Sequence, residues 1–142
     1  IKPILYLADG HVDVFAKLVS EDTILLGSYT EEQDWVNAEI LDLNAEILEG
    51  VTLEDHRPLT VTRIPMPSNA DWLFRTYLNS LYINGTLIMP TYAMDRDLEK
   101  EAIGVYRNTL PRGATIITVD ARKLIELEGA IHCVTQSFSY EE

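Results

Sequence analysis

The chain has 142 residues, 46% of them hydrophobic, and a formal net charge of −12 from 23 acidic and 11 basic residues. A chain of this length can bury one ordinary core, so we expect a single domain over residues 1–142. The acidic balance argues against a nucleic-acid partner, which needs a clustered basic face, and no apolar run approaches the ~20 residues of a membrane span.

Two short apolar runs, rich in β-branched residues, follow the first polar segment of the chain. They are DVFAKLV (13–19) and TILLGSY (23–29), and only SED separates them. Runs of this kind joined by a short polar turn are typical of a β-hairpin. The sequence therefore predicts two antiparallel strands at this point.

A helix is predicted directly after this hairpin. Thr30 and Gln33 have the spacing of a capping box, which marks a helix N-terminus. Apolar residues follow at spacings of four, three and four, which predicts one apolar face, and they are Val36, Ile40, Leu43 and Ile47. Gly50 is expected to end the helix, and LTVTRIPMP (59–67) is expected to form another strand.

The second half of the chain repeats this order of elements. TYLNSLYI (76–83) and TLIMPTY (86–92) flank Asn84-Gly85, the strongest short-range signal for a hairpin. A helix is predicted from about Asp97 to Leu110, just before Pro111. TIITVDA (115–121) then predicts a strand.

Both halves therefore read as strand, strand, helix, strand, with an offset of roughly 60 residues, which indicates an α/β repeat architecture. We place the two modules at about 10–67 and 75–120 and the start of a third at 129–142, with AIHCVTQSF (130–138) as its first strand. A short helix from Asp120 to Leu127 would precede it. Two modules and a fraction do not close a circle, so we expect a missing partner, either upstream in a longer polypeptide or in another chain.

Gly10-His11-Val12-Asp13 is the first candidate for chemistry. On a strand, the period of two places His11 and Asp13 on the same face, and Gly10 permits close approach of the backbone. An imidazole beside a carboxylate suits acid–base catalysis, or a base next to a group that holds a cation. The spacing by itself is equally compatible with a structural or surface role.

Cys133 is the only cysteine of the chain. It is either a nucleophile or a small packed hydrophobe, since free cysteine is among the most buried residue types. On a strand the adjacent His132 would point to the opposite face, so we expect the partner of a catalytic Cys133 to be His11. His56 lies in the polar loop EDHRP and is expected to be solvated. A papain-like order, with cysteine before histidine, does not fit.

The sequence predicts neither a metal nor a cofactor. Its three histidines and one cysteine lack the paired spacing of zinc ligands, and its seven glycines form no phosphate-binding loop. A single cysteine cannot close an internal disulfide, which favours the cytoplasm over an oxidising compartment. The acidic chain is better suited to a cationic small molecule than to nucleic acid or a membrane.

Three segments, in order, carry a family resemblance: DGHVD (9–13), TYLNSLYINGTLIMPTY (76–92) and GAIHCVTQ (129–136). They resemble the agmatine deiminase and Porphyromonas-type peptidyl-arginine deiminase family of the guanidine-modifying (pentein) superfamily. The resemblance covers nearly the whole chain but only about the C-terminal half of a member. It implies an α/β propeller of five ββαβ modules with a central active site, incomplete in this chain.

The same resemblance implies roles for three residues and a reaction. Cys133 matches the nucleophile, His11 the general acid/base, and Asp13 the carboxylate that binds the guanidinium. The implied reaction is hydrolytic deimination through a covalent thiouronium, either of agmatine, in polyamine biosynthesis, or of peptidyl-arginine, in that case outside the cytoplasm. Members carry a further acidic residue in their N-terminal half, so this chain alone is expected to be inactive or to need that half or self-association. A binding module without turnover is the remaining alternative.

Overall fold

The computed structural model describes residues 1–5, 10–136 and 138. Within them the chain forms an α/β fold of two three-stranded sheets and two helices. The first unit comprises β1 (Ala16–Leu18), β2 (Thr23–Ser28), α1 (Glu31–Glu49) and β3 (Thr60–Pro65). The second comprises β4 (Leu81–Ile83), β5 (Thr86–Thr91), α2 (Arg96–Thr109) and β6 (Thr115–Asp120).

The two units have the same topology. In each, the first two strands are antiparallel and the third pairs in parallel with the second, in the orders β1-β2-β3 and β4-β5-β6. The helix forms the crossover that a parallel pair needs. The predicted order of strand, strand, helix, strand is therefore confirmed for both halves of the chain.

The local signals at the hairpin and the helix start are also confirmed. Asn84 and Gly85 adopt φ of 49° and 73°, the left-handed conformation required by a two-residue hairpin. At the start of α1, the Gln33 N–H donates to Thr30 Oγ1 over 3.3 Å, and the Thr30 N–H donates to Gln33 Oε1 over 3.0 Å. These reciprocal bonds satisfy two of the four unpaired donors at the helix start.

The predicted apolar face of α1 is only partly correct: Ile40 packs against the core, but the two following predicted residues do not. Leu43 and Ile47 are 39% and 51% exposed, and the buried positions are Asn37, Ala38, Leu41, Asn44 and Ala45. Asn44 exchanges two hydrogen bonds of 2.7 Å with the backbone of Lys2, and Asn37 Oδ1 accepts from the N–H of Leu5 over 2.6 Å. Two buried amides therefore turn the helix toward the N-terminal segment.

Three predictions of regular structure near the ends of the modules are wrong. His11 and Asp13 do not lie on a strand, because Val12–Val14 forms a 3₁₀ turn and β1 begins only at Ala16. The helix expected from Asp120 is a 3₁₀ turn, Ile125–Leu127. The strand expected over 130–138 contains the 3₁₀ turn His132–Val134, while residues 137 and 139–142 lie outside the described residues.

One hydrophobic cluster joins the two units. It includes Leu25 and Ile64 from the first unit and Leu87 and Tyr106 from the second. Helix α2 packs against β3 of the first unit. The segments before β1 and before β4 are joined by a hydrogen bond between Asp13 and Asn79. In the part of the chain that the structure describes, no helix has the length and apolarity to cross a membrane.

Candidate active site

The candidate site lies where three irregular segments meet: the Val12–Val14 turn, residues 76–80, and the His132–Val134 turn. Its centre contains His11, Asp13 and Cys133. One nitrogen, oxygen or sulfur atom of each side chain lies within 4.8 Å of the others. The structure therefore brings together the three site residues predicted from the sequence, although they are up to 122 positions apart in the sequence numbering (11 to 133).

The first turn presents His11 and Asp13 because its apolar residues are anchored in the core. Val14 and Phe15 are buried, and their N–H groups donate to His11 and Val12 carbonyls over 3.2 and 3.1 Å. Gly10 enters the turn with a φ of 61°, the left-handed region that favours glycine. Asp13 is consequently half-buried, while His11 is exposed.

Asp13 is the hub of the polar contacts at the site. Its Oδ2 lies 2.9 Å from the donor Asn79 Nδ2, 2.6 Å from His132 Nδ1 and 3.6 Å from Cys133 Sγ. Within the described residues these contacts all use Oδ2, so Oδ1 can accept from a bound ligand. The prediction that His132 points away from the site is wrong, because the 3₁₀ turn replaces the alternation of a strand.

Asn79 is a site residue that sequence reasoning missed. It is 1% exposed, and its Nδ2 donates to Cys133 Sγ over 3.0 Å as well as to Asp13. Its Oδ1 accepts from the N–H of Ala130 over 3.1 Å and from the N–H of Cys133 over 3.3 Å. The sequence did contain a signal for Asn79: it is an amide inside the apolar run TYLNSLYI, and a buried polar side chain needs hydrogen-bond partners.

Cys133 is exposed, which contradicts the alternative of an inert packed cysteine. Its position depends on Gly129, where an added Cβ would lie 2.8 Å from Cys133 Cβ and 3.2 Å from Sγ. Such distances are far shorter than van der Waals contact. Glycine is therefore required for the turn to place the sulfur beside Asp13.

A second residue that the sequence did not single out is Lys17, on β1. Its Nζ donates to the Ser80 carbonyl over 2.7 Å, and the side chain is half-buried. Burial lowers the pKa of Lys17, while the negative charge of Asp13 acts in the opposite direction. A cation from the first unit thus bonds the segment that carries Asn79 and interacts electrostatically with Asp13.

His11, Asp13 and Cys133 are also, among the described residues, the group whose donor atoms could converge on a metal ion. However, Asp13 Oδ2 already accepts from Asn79, and Cys133 Sγ accepts from the same amide. We assign no metal to these residues, and the expectation of a metal-free site stays a prediction. His56, in contrast, is exposed in its loop, as expected.

Comparison with known proteins gives consistent similarities. A family model described as Porphyromonas-type peptidyl-arginine deiminase matches residues 5–138. A putative agmatine deiminase of Streptomyces coelicolor is 30% identical over 136 residues, which cover 92% of this chain and 39% of that protein. An agmatine deiminase of Ectopseudomonas mendocina is 28% identical over 150 residues, covering 90% and 40%. This chain thus spans about two fifths of the length of these relatives.

Solved structures show the same likeness. The putative arginine deiminase from Porphyromonas gingivalis superposes with a TM-score of 0.80 at 31% identity, over 92% of this chain and 38% of that chain. The agmatine deiminase of Enterococcus faecalis superposes with a TM-score of 0.77 at 23% identity, over 89% and 40%. At that lower identity the likeness concerns the fold alone.

Proposed function

Since this chain belongs to the Porphyromonas-type peptidyl-arginine deiminase family, we propose that it carries the nucleophile and the acid–base residue for hydrolytic deimination of a guanidino group. The observation that carries the proposal is the convergence of His11, Asp13 and Cys133 within 4.8 Å. The preferred substrate is agmatine, converted to N-carbamoylputrescine and ammonia, because the curated relatives bear the name agmatine deiminase. In this proposal the two ββαβ units belong to a pentein propeller that the longer relatives complete.

Asp13 binds the substrate in this proposal. A guanidinium is a planar, delocalised cation, and a carboxylate holds it by charge and by in-plane hydrogen bonds. Cys133 Sγ lies 3.6 Å from Asp13 Oδ2, so a guanidinium bound to Asp13 has its central carbon beside the sulfur. This placement supplies the proximity that a weakly electrophilic carbon needs.

Cys133 and His11 then perform two half-reactions. The thiolate attacks the central carbon and forms a C–S bond, and protonated His11 gives its proton to the nitrogen that leaves as ammonia. Neutral His11 next takes a proton from water, whose oxygen attacks the same carbon. The C–S bond breaks, which releases the ureido product and restores the thiolate, and the second proton of the water leaves on the ammonia as ammonium. One water is consumed and one ammonia is formed in each cycle.

Asn79 supports the first half-reaction. The attacking species is the thiolate, not the thiol. A hydrogen bond donated to sulfur stabilises the anion more than the neutral form, and Asn79 Nδ2 makes this bond over 3.0 Å. The same amide also donates to Asp13, the carboxylate that binds the substrate in this proposal. Asn79 therefore positions both the attacking sulfur and the binding carboxylate.

Peptidyl-arginine is the second candidate substrate. The matching family is described by this activity, and both His11 and Cys133 are exposed, so an arginine side chain of a peptide can reach them. A third possibility, in another functional class, is a binding module that holds a guanidinium without turnover.

The test is ammonia release by the native polypeptide that contains this chain, with agmatine and with an arginine peptide. We expect turnover of agmatine that Cys133→Ala lowers by at least about 10³-fold, since the nucleophile is lost. Val134→Ala, an exposed neighbour on the same turn, serves as the matched control and keeps turnover. Preference for the arginine peptide would transfer the proposal to the second substrate. Failure of a folded protein to act on either would favour the binding module.

A further inference from the structure

Residues 76–80 form neither helix nor strand, although all five are at most 2% exposed. Buried backbone without regular structure must find other partners for its carbonyl groups. Each of the five carbonyls in this segment accepts a hydrogen bond, from these donors in chain order: Tyr92 Oη (3.0 Å), Tyr106 Oη (3.0 Å), Ser80 N (2.7 Å), His132 N (3.1 Å) and Lys17 Nζ (2.7 Å). Four of these five donors come from outside the segment, so its path is set largely by side chains and backbone of other elements.

This segment carries the amide at the centre of the candidate site. Asn79 bonds Asp13 and Cys133 through Nδ2 and two backbone N–H groups through Oδ1. Its amide has two donor positions and one acceptor oxygen with two lone pairs, so its hydrogen-bonding capacity is filled. A shift of the segment by a fraction of an ångström would weaken several of these bonds at once, because hydrogen bonds depend steeply on geometry.

Among these five donors, Lys17 is the charged side chain, and it is the donor that comes from the first unit. The tyrosines that hold Thr76 and Tyr77 belong to the second unit, whereas Lys17 lies on β1 and reaches Ser80, the neighbour of Asn79. Half-burying an ammonium costs desolvation free energy. Ser80 is fully buried, so its carbonyl depends on a protein donor, and Lys17 is that donor. The same ammonium also interacts electrostatically with Asp13.

We propose that Lys17 is a positioning residue that fixes Asn79 against Asp13 and Cys133 by anchoring the Ser80 carbonyl. It does not contact the substrate or the sulfur; it acts through the 76–80 segment and through its charge beside Asp13. The first unit thereby controls the geometry of a site whose central amide comes from the second. The kinetic consequence rests on the proposed function, but the consequence for the reactivity of Cys133 does not.

The experiment compares Lys17→Met, Lys17→Arg and wild type in the native polypeptide, at neutral pH. The readout is the rate at which iodoacetamide alkylates Cys133, followed by mass spectrometry of the peptide that contains it. Loss of the anchor displaces Asn79 from the sulfur and removes a hydrogen bond that stabilises the attacking anion, so we expect Lys17→Met to slow alkylation by about tenfold. Arginine keeps both a donor and the charge, so Lys17→Arg restores the rate to within about threefold of wild type.

Lys100→Met is the matched control, because Lys100 is highly exposed on α2 and the change in charge is the same. An alkylation rate in Lys17→Met within about twofold of the control would overturn the inference. If Lys17→Met does not fold, Lys17→Gln takes its place with the same criterion, because the glutamine side chain is one atom shorter than the lysine side chain and carries no charge. If the native polypeptide turns over agmatine, we expect Lys17→Met to lower kcat by a larger factor than it raises KM, because Lys17 positions the reacting groups and does not bind the substrate. Slowed alkylation in a protein without turnover would uphold this inference and refute the proposed function.

Discussion

Asn79 and Asp13 come from different structural units, and a hydrogen bond of 2.9 Å joins their side chains. Replacing Asn79 by Ala also leaves the N–H groups of Ala130 and Cys133 without their acceptor. Unpaired buried groups cost about 1–3 kcal/mol each, so we expect Asn79→Ala to lower the free energy of unfolding by about 2–4 kcal/mol. Urea unfolding measures this loss. Asn108→Ala, on the exposed side of α2, is the control, and an equal effect in both would contradict the central role of Asn79.

The two histidines of the site are expected to differ in their kinetic effect. His11 transfers protons in the proposed reaction, so His11→Ala is expected to lower kcat for agmatine by about 10²–10⁴-fold. His132→Ala removes one contact of Asp13 Oδ2, but the hydrogen bond from Asn79 to the same oxygen remains. We therefore expect His132→Ala to lower kcat for agmatine by less than about tenfold. Steady-state kinetics of both variants decides the matter. The opposite order would assign proton transfer to His132.

A methyl group at position 129 is expected to disturb the site. Gly129→Ala places a Cβ 2.8 Å from Cys133 Cβ, so the turn must shift and stability falls by about 1–3 kcal/mol. Thermal unfolding and alkylation of Cys133 report the two consequences. Gly104→Ala on α2 has open space around it and is expected to stabilise the protein by about 0.5–1 kcal/mol. Equal melting temperatures for the two variants would refute the crowding at Gly129.

The loop before residue 76 contains an ion pair with a defined pH dependence. Two hydrogen bonds of 2.7 Å from the Arg75 guanidinium lower the pKa of Asp71 to about 2. Because the folded pKa lies below the unfolded value, the stabilisation is complete above the unfolded pKa and is lost as the pH falls through about 2. Asp71 is 53% exposed, so solvent screening limits the effect to about 1 kcal/mol or less.

We therefore expect Asp71→Asn to be less stable than wild type at neutral pH, with a difference that shrinks as the pH falls from about 4 toward 2. Urea unfolding at several pH values measures it. Asp97→Asn, which removes a surface pair with Lys100, serves as the control and changes stability by less than about 0.5 kcal/mol. A difference for Asp71→Asn that stays constant with pH would contradict the assignment.

Elements with local signals could be predicted from the sequence. The start of α1 depends on Thr30 and Gln33, which are three residues apart, and the second hairpin depends on the adjacent pair Asn84-Gly85. The interactions that define these features lie within one turn of chain. Neighbouring residues therefore contain all the information that the prediction needs.

The buried face of α1 could not be predicted in this way. Asn37 and Asn44 are buried because of partners 32 and 42 residues away in the sequence. Periodicity counts an asparagine as polar and places it outside, whereas a satisfied amide can replace an apolar residue in the core. Tertiary hydrogen bonds therefore overrode the apolar pattern of Leu43 and Ile47.

The candidate site likewise combines features that the sequence indicates with features that depend on distant segments. His11, Asp13 and Cys133 were singled out by residue type, and the family resemblance implied their roles. Their convergence follows from irregular turns that periodicity did not predict. Asn79 and His132 were missed because a strand was assumed where the chain forms bends and a 3₁₀ turn. Residue types alone do not reveal such turns when the anchoring groups come from distant segments.

The way in which residues 76–80 are held has a consequence for the order of folding. The side-chain bonds to their carbonyls close loops of very different length: 16 residues for Tyr92 with Thr76 and 63 for Lys17 with Ser80. Longer loops cost more chain entropy and form later. We infer that the second unit can fold around its tyrosines before the link to β1 is made. The geometry of the candidate site would then be the last part of the molecule to assemble and the first to be lost on unfolding.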